Sequence, residues 1–93
     1  MFPFPDITGA NAAVQITSGV AYGKQPASTI QIIVGGTGTV RVGDSTVSAT
    51  LGLPIPAGGG YMLPWRGGAN GYTPGAFYVY VPTGATVSAA AIF

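Results

Sequence analysis

The stretch Ser28-Thr29-Ile30-Gln31-Ile32-Ile33-Val34 decides the fold class of this chain. Its side chains follow a period of two, which places Ile30, Ile32 and Val34 on one face of an extended strand. The same period recurs at residues 39–42, 46–51, 77–81 and 86–93, and more weakly at 12–16. No stretch combines helical caps with an apolar stripe. The pattern predicts an all-β fold, a small antiparallel β-sandwich or jelly-roll-like barrel.

Glycine and proline separate the predicted strands. Gly35-Gly36-Thr37-Gly38 and Gly43-Asp44-Ser45 suit hairpins that need positive φ, and Pro82-Thr83-Gly84 suits a tight reversal. Residues 53–75 are too rich in glycine and proline for long central strands. We expect loops there, apart from a short edge strand at Tyr61-Met62-Leu63.

The length allows one domain, which we assign to residues 9–93, preceded by an extended N-terminal arm at residues 1–8. Phe2 and Phe4 each precede a proline, which pushes them out of the helical region. Two large aromatic side chains on such an arm are costly to leave in water. The favoured interpretation is that both dock on a neighbouring subunit or host surface. The alternative is that the arm folds back on its own core.

Charged side chains are scarce, and the five are Asp6, Lys24, Arg41, Asp44 and Arg66. The net charge is +1, histidine and cysteine are absent, and 47% of the residues are hydrophobic. Soluble domains devote roughly a quarter of their residues to charge. A globule of this mass exposes about 4,900 Å², so the charges are too sparse to keep a free monomer in solution. Much of the surface is therefore expected to face other protein.

The same shortage argues against catalysis. General acid–base chemistry needs His or a carboxylate or Lys with a shifted pKa, and the chain offers only Asp6, Asp44 and Lys24. Ser45 has no base to take its proton, and two carboxylates far apart in sequence are a poor start for a metal site. We expect no catalytic residue, metal or cofactor. Three scattered cations do not predict nucleic-acid binding, and no apolar run is long enough to span a membrane.

A second aromatic group has the composition of a contact patch. Trp65 stands beside Arg66, with Tyr61 and Tyr72 nearby. Two alternatives remain open: Trp65 plugs the open end of the sandwich, or the rings form the stacking platform of a carbohydrate-binding module. The candidate interface residues of the whole chain are Phe2, Phe4, Tyr61, Trp65, Arg66 and Tyr72.

Residues 39–58 and 77–88 arrange strands and turns in a characteristic order. A strand ending in Arg41-Val42-Gly43-Asp44 leads through a Gly-x-Pro loop at Gly52-Leu53-Pro54 to a Tyr-Val strand, a turn and a final Thr86-Val87-Ser88 strand. This order resembles small accessory structural proteins of tailed bacteriophage particles. The resemblance implies a particle component such as a capsid decoration (cement) protein, or part of a tail or fibre.

Composition and resemblance together predict a non-enzymatic virion structural protein, made in the host cytoplasm. Its expected partners are the major capsid protein or another virion protein, and sister copies in a homo-oligomer, with a trimer favoured. The lack of a second large domain favours a stand-alone surface unit over a receptor-binding fibre. The alternatives left open are a tail, fibre or neck component and a small carbohydrate-binding β-module.

Overall fold

A computed structural model describes residues 1–20, 22, 26–65 and 71–93. Within these residues the secondary structure is nine β-strands and a single turn of 3-10 helix at Pro74–Ala76. The strands are β1 (Phe2–Pro3), β2 (Ile7–Thr8), β3 (Ala13–Gln15), β4 (Thr29–Gly36), β5 (Thr39–Gly43), β6 (Leu53–Pro56), β7 (Gly60–Met62), β8 (Tyr78–Tyr80) and β9 (Ala85–Ile92). No helix in this described part is long and apolar enough to cross a bilayer. The all-β prediction is confirmed.

The strands form two antiparallel sheets. Sheet A has the order β1-β9-β4-β7, and β2 pairs with the same edge of β9 as β1; sheet B has the order β3-β8-β5-β6. If β1 and β2 count as one interrupted strand, each sheet has four. Every connection except β1–β2 and β5–β6 then crosses from one sheet to the other. This connectivity is that of a jelly roll.

The core lies between the inner faces of the two sheets. Ile30, Ile32 and Val34 of β4 are buried there, as their spacing predicts. Their buried neighbours are Val40, Val42, Val79, Val87, Ala89 and Ala91 of the other central strands, and Val81 directly after β8. The core is built from β-branched and small side chains, which suit the short spacing between paired strands.

The prediction of a strand at residues 46–51 is wrong, because this segment is a loop. The Asp44 carboxylate accepts hydrogen bonds from the backbone amide and the hydroxyl of Thr46, at 2.8 and 2.5 Å. Such an Asx turn reverses the chain locally. One side chain of the segment, Val47, is buried against Gly43, so the alternation reflects a packed loop and not a strand.

The prediction of a loop at residues 53–56 is also wrong, since β6 forms there as an edge strand of sheet B. The Ala57 amide donates to the Gly38 carbonyl at 3.0 Å. Alternate backbone amides of a strand face opposite edges, so the Ile55 amide also faces β5. The two prolines of β6 occupy the positions whose amides would face the free edge of the sheet, where no hydrogen-bond donor is needed. The edge strand expected at residues 61–63 is confirmed as β7.

The two ends of the sandwich carry loops of different length. At one end the connections are short: residues 9–12, 37–38, 57–59 and 81–84. Gly36 sits there with φ +76°, and a Cβ on it would lie 2.1 Å from the Gly84 carbonyl oxygen, so two of these turns meet without room for a side chain. At the other end the connections are long: residues 16–28, 44–52 and 63–77. Most candidate interface residues lie at or near this long-loop end.

Candidate functional site

The N-terminal residues 1–8 lie along sheet A of their own chain. β1 and β2 pair with β9, and the Phe4 amide between them donates to the Ala89 carbonyl at 2.9 Å. Phe4 and Ile7 are 5% and 9% exposed and belong to the core. Of the two interpretations of the arm, folding back is the one that this structure adopts. Docking of Phe2 and Phe4 on a neighbour stays a prediction.

Four aromatic rings cluster at the long-loop end. Phe2 and Phe4 lie 5.0 and 5.4 Å from Tyr22 between ring centroids, and Tyr22 stacks on Phe93 at 6.4 Å. The Tyr22 hydroxyl is buried without a hydrogen-bond partner among the described residues, and burial raises its pKa. The rings pack against one another, so Phe2 and Phe4 have apolar contacts within their own chain.

Tyr72 is held in place by its own chain. Its backbone pairs with Ala27 through two hydrogen bonds of 2.8 and 2.7 Å, and its hydroxyl donates to the Pro64 carbonyl at 2.8 Å. Its ring lies 6.0 Å from that of Phe77, edge to face. Tyr72 therefore fixes the position of the segment that carries Trp65.

Trp65 is 65% exposed, so it does not plug the end of the sandwich. Tyr61, on the edge strand β7 opposite Ile32, is 37% exposed. Arg66 lies outside the described residues. The structure thus places Tyr61 and Trp65 along β7 and its continuation, both accessible to a partner.

The outer face of sheet A is a surface that sequence reasoning missed. Strand register places one row of residues across it: Met62, Gln31, Ala90 and Pro3. Ile33 stands in the next row, opposite Ser88. Met62 and Ile33 are 52% and 50% exposed, on a face that is polar in most antiparallel sheets. The available signal was Ile33 itself, an isoleucine in the outward phase of β4.

A groove of about 190 Å³ lies on this face, above β9. Ser88 and Ala90 line its floor, and its sides are formed by the arm and by Gln31 and Ile33 of β4. Among the described residues that line it, Asp6 is the one with a charged side chain. The Asp6 carboxylate accepts a hydrogen bond from the Ser88 hydroxyl at 2.9 Å. The groove is shallow and largely uncharged, which suits contact with protein more than with an ionic ligand.

Two loops of the same chain contact the outer face of sheet B. The Arg41 guanidinium reaches over the 44–52 loop, donating to the carbonyls of Ala49 and Gly52 at 3.1 and 3.0 Å. At the β3 edge, the Gln15 amide donates to the Gly75 carbonyl in the 3-10 turn. Each loop therefore contacts one outward residue of this face, while Thr39, Pro54 and Pro56 beside Arg41 stay exposed.

No three His, Cys, Asp or Glu side chains in the described ranges lie together as a metal ion would need. Comparison of the chain with protein-family models, with curated proteins and with solved structures gave no match.

Proposed function

We propose that this protein is a non-enzymatic structural component of a tailed-phage virion, a capsid decoration (cement) protein that bridges adjacent capsid subunits through apolar contacts. The observation that carries the proposal is the outer face of sheet A. Ile33 and Met62 are half exposed there, beside a shallow, largely uncharged groove. Contiguous exposed apolar patches mark protein–protein interaction sites, and Met62 and Ile33 stand in adjacent rows of this face.

The size and charge of the surface support the same proposal. The accessible surface is 4767 Å², and the whole chain has five charged residues to distribute over it. The molecule measures 36 × 22 × 21 Å, so one broad face has an area on the scale of the roughly 800 Å² that each partner buries in a standard interface. Covering sheet A would remove an apolar face that charge does not protect.

The jelly-roll connectivity agrees with the proposal by analogy. Jelly rolls occur in viral capsid proteins and also in lectins. Fold alone does not decide function, so the resemblance of residues 39–58 and 77–88 to phage accessory proteins carries the choice between them. Sister copies in a homo-oligomer, with a trimer favoured, remain part of the proposal.

The test is attachment to particles. The purified chain is mixed with particles of the encoding phage that lack it, and the mixture is separated on a density gradient. We expect the chain to sediment with the particles in a fixed ratio. Raising the salt from low to moderate concentration is expected to change little, because few ion pairs are available to be screened. Recovery of the chain only at the top of the gradient would overturn the proposal.

A carbohydrate-binding module is a second candidate, favoured by the exposure of Trp65. An indole that is 65% exposed near Tyr61 resembles a stacking platform for a sugar ring. A glycan array and a titration of tryptophan fluorescence test this directly. Saturable binding that Trp65→Ala abolishes would support the sugar-binding candidate, and a blank array together with particle binding would reject it.

A further inference from the structure

The N-terminal arm, residues 1–8, is attached to its own sheet by an interrupted pairing. Phe2 lies opposite Ala91 and Ile7 lies opposite Val87, so the arm has one more residue than β9 between the two pairs. This extra residue is a bulge, and the two prolines of the arm donate no amide hydrogen bond. Among the described residues, β9 is the single strand that pairs with the arm. The arm is therefore an edge strand with a weakened backbone ladder.

The edge of β9 nevertheless requires an occupant. Phe4 and Ile7 reach from the arm into the core, where they pack beside the inward residues of β9. Removing the arm would expose the core beside Ala89, whose carbonyl would also lose the Phe4 amide. The edge fits an extended segment with apolar side chains at these two positions. That description is met by the arm of this chain, whichever copy supplies it.

A pivot joins the arm to the sandwich. Gly9 has φ +43° and Asn11 has φ +52°, a region that glycine adopts readily and asparagine tolerates. Asn11 is bound to the β8–β9 turn: its side-chain amide donates to the Thr83 hydroxyl at 2.7 Å, and the Thr83 backbone amide donates back at 3.2 Å. The Gly9 amide donates to the Ala85 carbonyl and the Gly9 carbonyl accepts from the Asn11 side chain, both at 3.3 Å. Rotation at Gly9 would break these two long bonds and swing the arm away while Asn11 stays anchored to Thr83.

We infer that the arm is an exchangeable strand, and that the β9 edge of this chain accepts the arm of a second copy. The arm makes the same contacts with β9 in either case, so the two closed forms differ in the conformation of the pivot and in the local concentration of arms. A net charge of +1 offers little repulsion between copies. The inference needs a second copy of the chain and no particle.

Paired cysteines test the exchange, because the natural chain contains none. Thr8 and Thr86 are partners in the β2–β9 register, and the Cα separation of such pairs permits a disulfide. Chains carrying T8C are unfolded, mixed with chains carrying T86C, refolded together and oxidised. A disulfide between the two forms where the arm of one chain lies on β9 of the other. Exchange predicts a product of twice the 9.2 kDa chain mass that contains both chains.

The matched control uses two paired residues that both lie outside the arm, so they stay in the same chain when arms are exchanged. Ile33 and Ser88 are partners between β4 and β9, so a mixture of I33C and S88C chains reports only chance collisions. We expect the T8C and T86C mixture to give the mixed product well above this background, with a yield that rises with protein concentration. Yields equal to the control at the highest soluble concentration would overturn the inference. They would leave particle attachment untouched, since no particle is present.

A pivot variant gives a second reading. Gly9→Ala disfavours the positive φ of the closed chain, while its Cβ would lie 3.6 Å from the Thr83 Cα, an ordinary contact. We expect Gly9→Ala to raise the yield of the mixed product in the T8C and T86C background. An unchanged or lower yield would contradict the role of Gly9 as the pivot.

Discussion

The outer faces of the two sheets differ in the contacts that loops of the same chain make with them. Each sheet is antiparallel and packs its inner face on the shared core. On sheet B, the 44–52 loop accepts hydrogen bonds from Arg41 and the 3-10 turn accepts one from Gln15. Sheet A leaves Ile33 and Met62 half exposed. The two outer faces therefore differ: loops of the same chain bind polar side chains on sheet B, and two large apolar side chains on sheet A stay half exposed, which agrees with the contact proposed for sheet A.

Loop length explains part of this difference. The β5–β6 connection, residues 44–52, is long enough to fold back over the strands that it joins. The β4–β5 connection, residues 37–38, and the β8–β9 connection, residues 81–84, are too short to fold over sheet A. The central strands of sheet A therefore receive no cover from the turns that follow β4 and precede β9.

The largest expected effect comes from placing a charge on the outer face of sheet A. Ile33→Asp is expected to weaken particle attachment by roughly 30-fold or more, the scale of an interface hot spot. Leu51→Asp is the matched control, since Leu51 is 55% exposed on the loop over sheet B, against 50% for Ile33. Density-gradient binding curves measure both. Equal loss of attachment in the two variants would show that the faces do not differ as proposed.

The next effect concerns the fit of the loop on sheet B. A Cβ at Gly52 would lie 2.6 Å from the Val47 Cγ2 atom, so Gly52→Ala is expected to cost about 2–3 kcal/mol of unfolding free energy. Gly58→Ala also meets a positive φ but open space, and its cost is expected to be only about 1 kcal/mol. Urea denaturation measures both variants. A Gly58→Ala cost as large as that of Gly52→Ala would reject the steric explanation.

Removing the hydrogen bonds that Arg41 makes to the 44–52 loop is expected to cost less unfolding free energy. Arg41→Ala removes two hydrogen bonds to backbone carbonyls, with an expected loss of about 1–2 kcal/mol. Amide exchange in residues 44–52 is expected to speed up, while exchange in β4 stays slow. Arg41→Lys keeps the charge, but one ammonium group does not reproduce the fork of the guanidinium. Full rescue by lysine would show that charge, and not the two bonds, holds the loop.

The smallest effect is a dependence of the loop on acid. Hydrogen bonds from the hydroxyl and amide of Thr46 lower the pKa of Asp44 from its usual 3.8. The folded state thus favours the ionised carboxylate, and this contribution is complete above the usual pKa and is lost as pH falls through the lowered value. Melting temperatures of the natural chain and of Asp44→Asn are expected to converge in strong acid. A constant difference down to the lowest pH would contradict the role of these bonds.

The sequence predicts the central strands well, because alternating β-branched residues have few other ways to be buried. It mistakes residues 46–51 for a strand, since one buried residue, Val47, imitates alternation within a loop. It misses β6, because the prolines that argue against a central strand are tolerated on an outer edge.

The surfaces are harder to predict than the strands. The prolines of the arm predict extended backbone, and its partner β9 lies at the far end of the chain. Trp65 is predicted as a contact residue or a plug, and only the structure shows its exposure. The open face of sheet A depends on which loops return over which sheet, and no local pattern encodes that.

Reactivity of single cysteines tests the central claim most directly. Met62→Cys reports on sheet A and Leu51→Cys on the loop over sheet B, from natural residues that are 52% and 55% exposed. Alkylation rates are measured by mass spectrometry for the free chain and for the chain bound to particles. The proposal predicts that binding slows the reaction at position 62 severalfold and leaves position 51 unchanged. Protection at position 51 with free reaction at position 62 would contradict it.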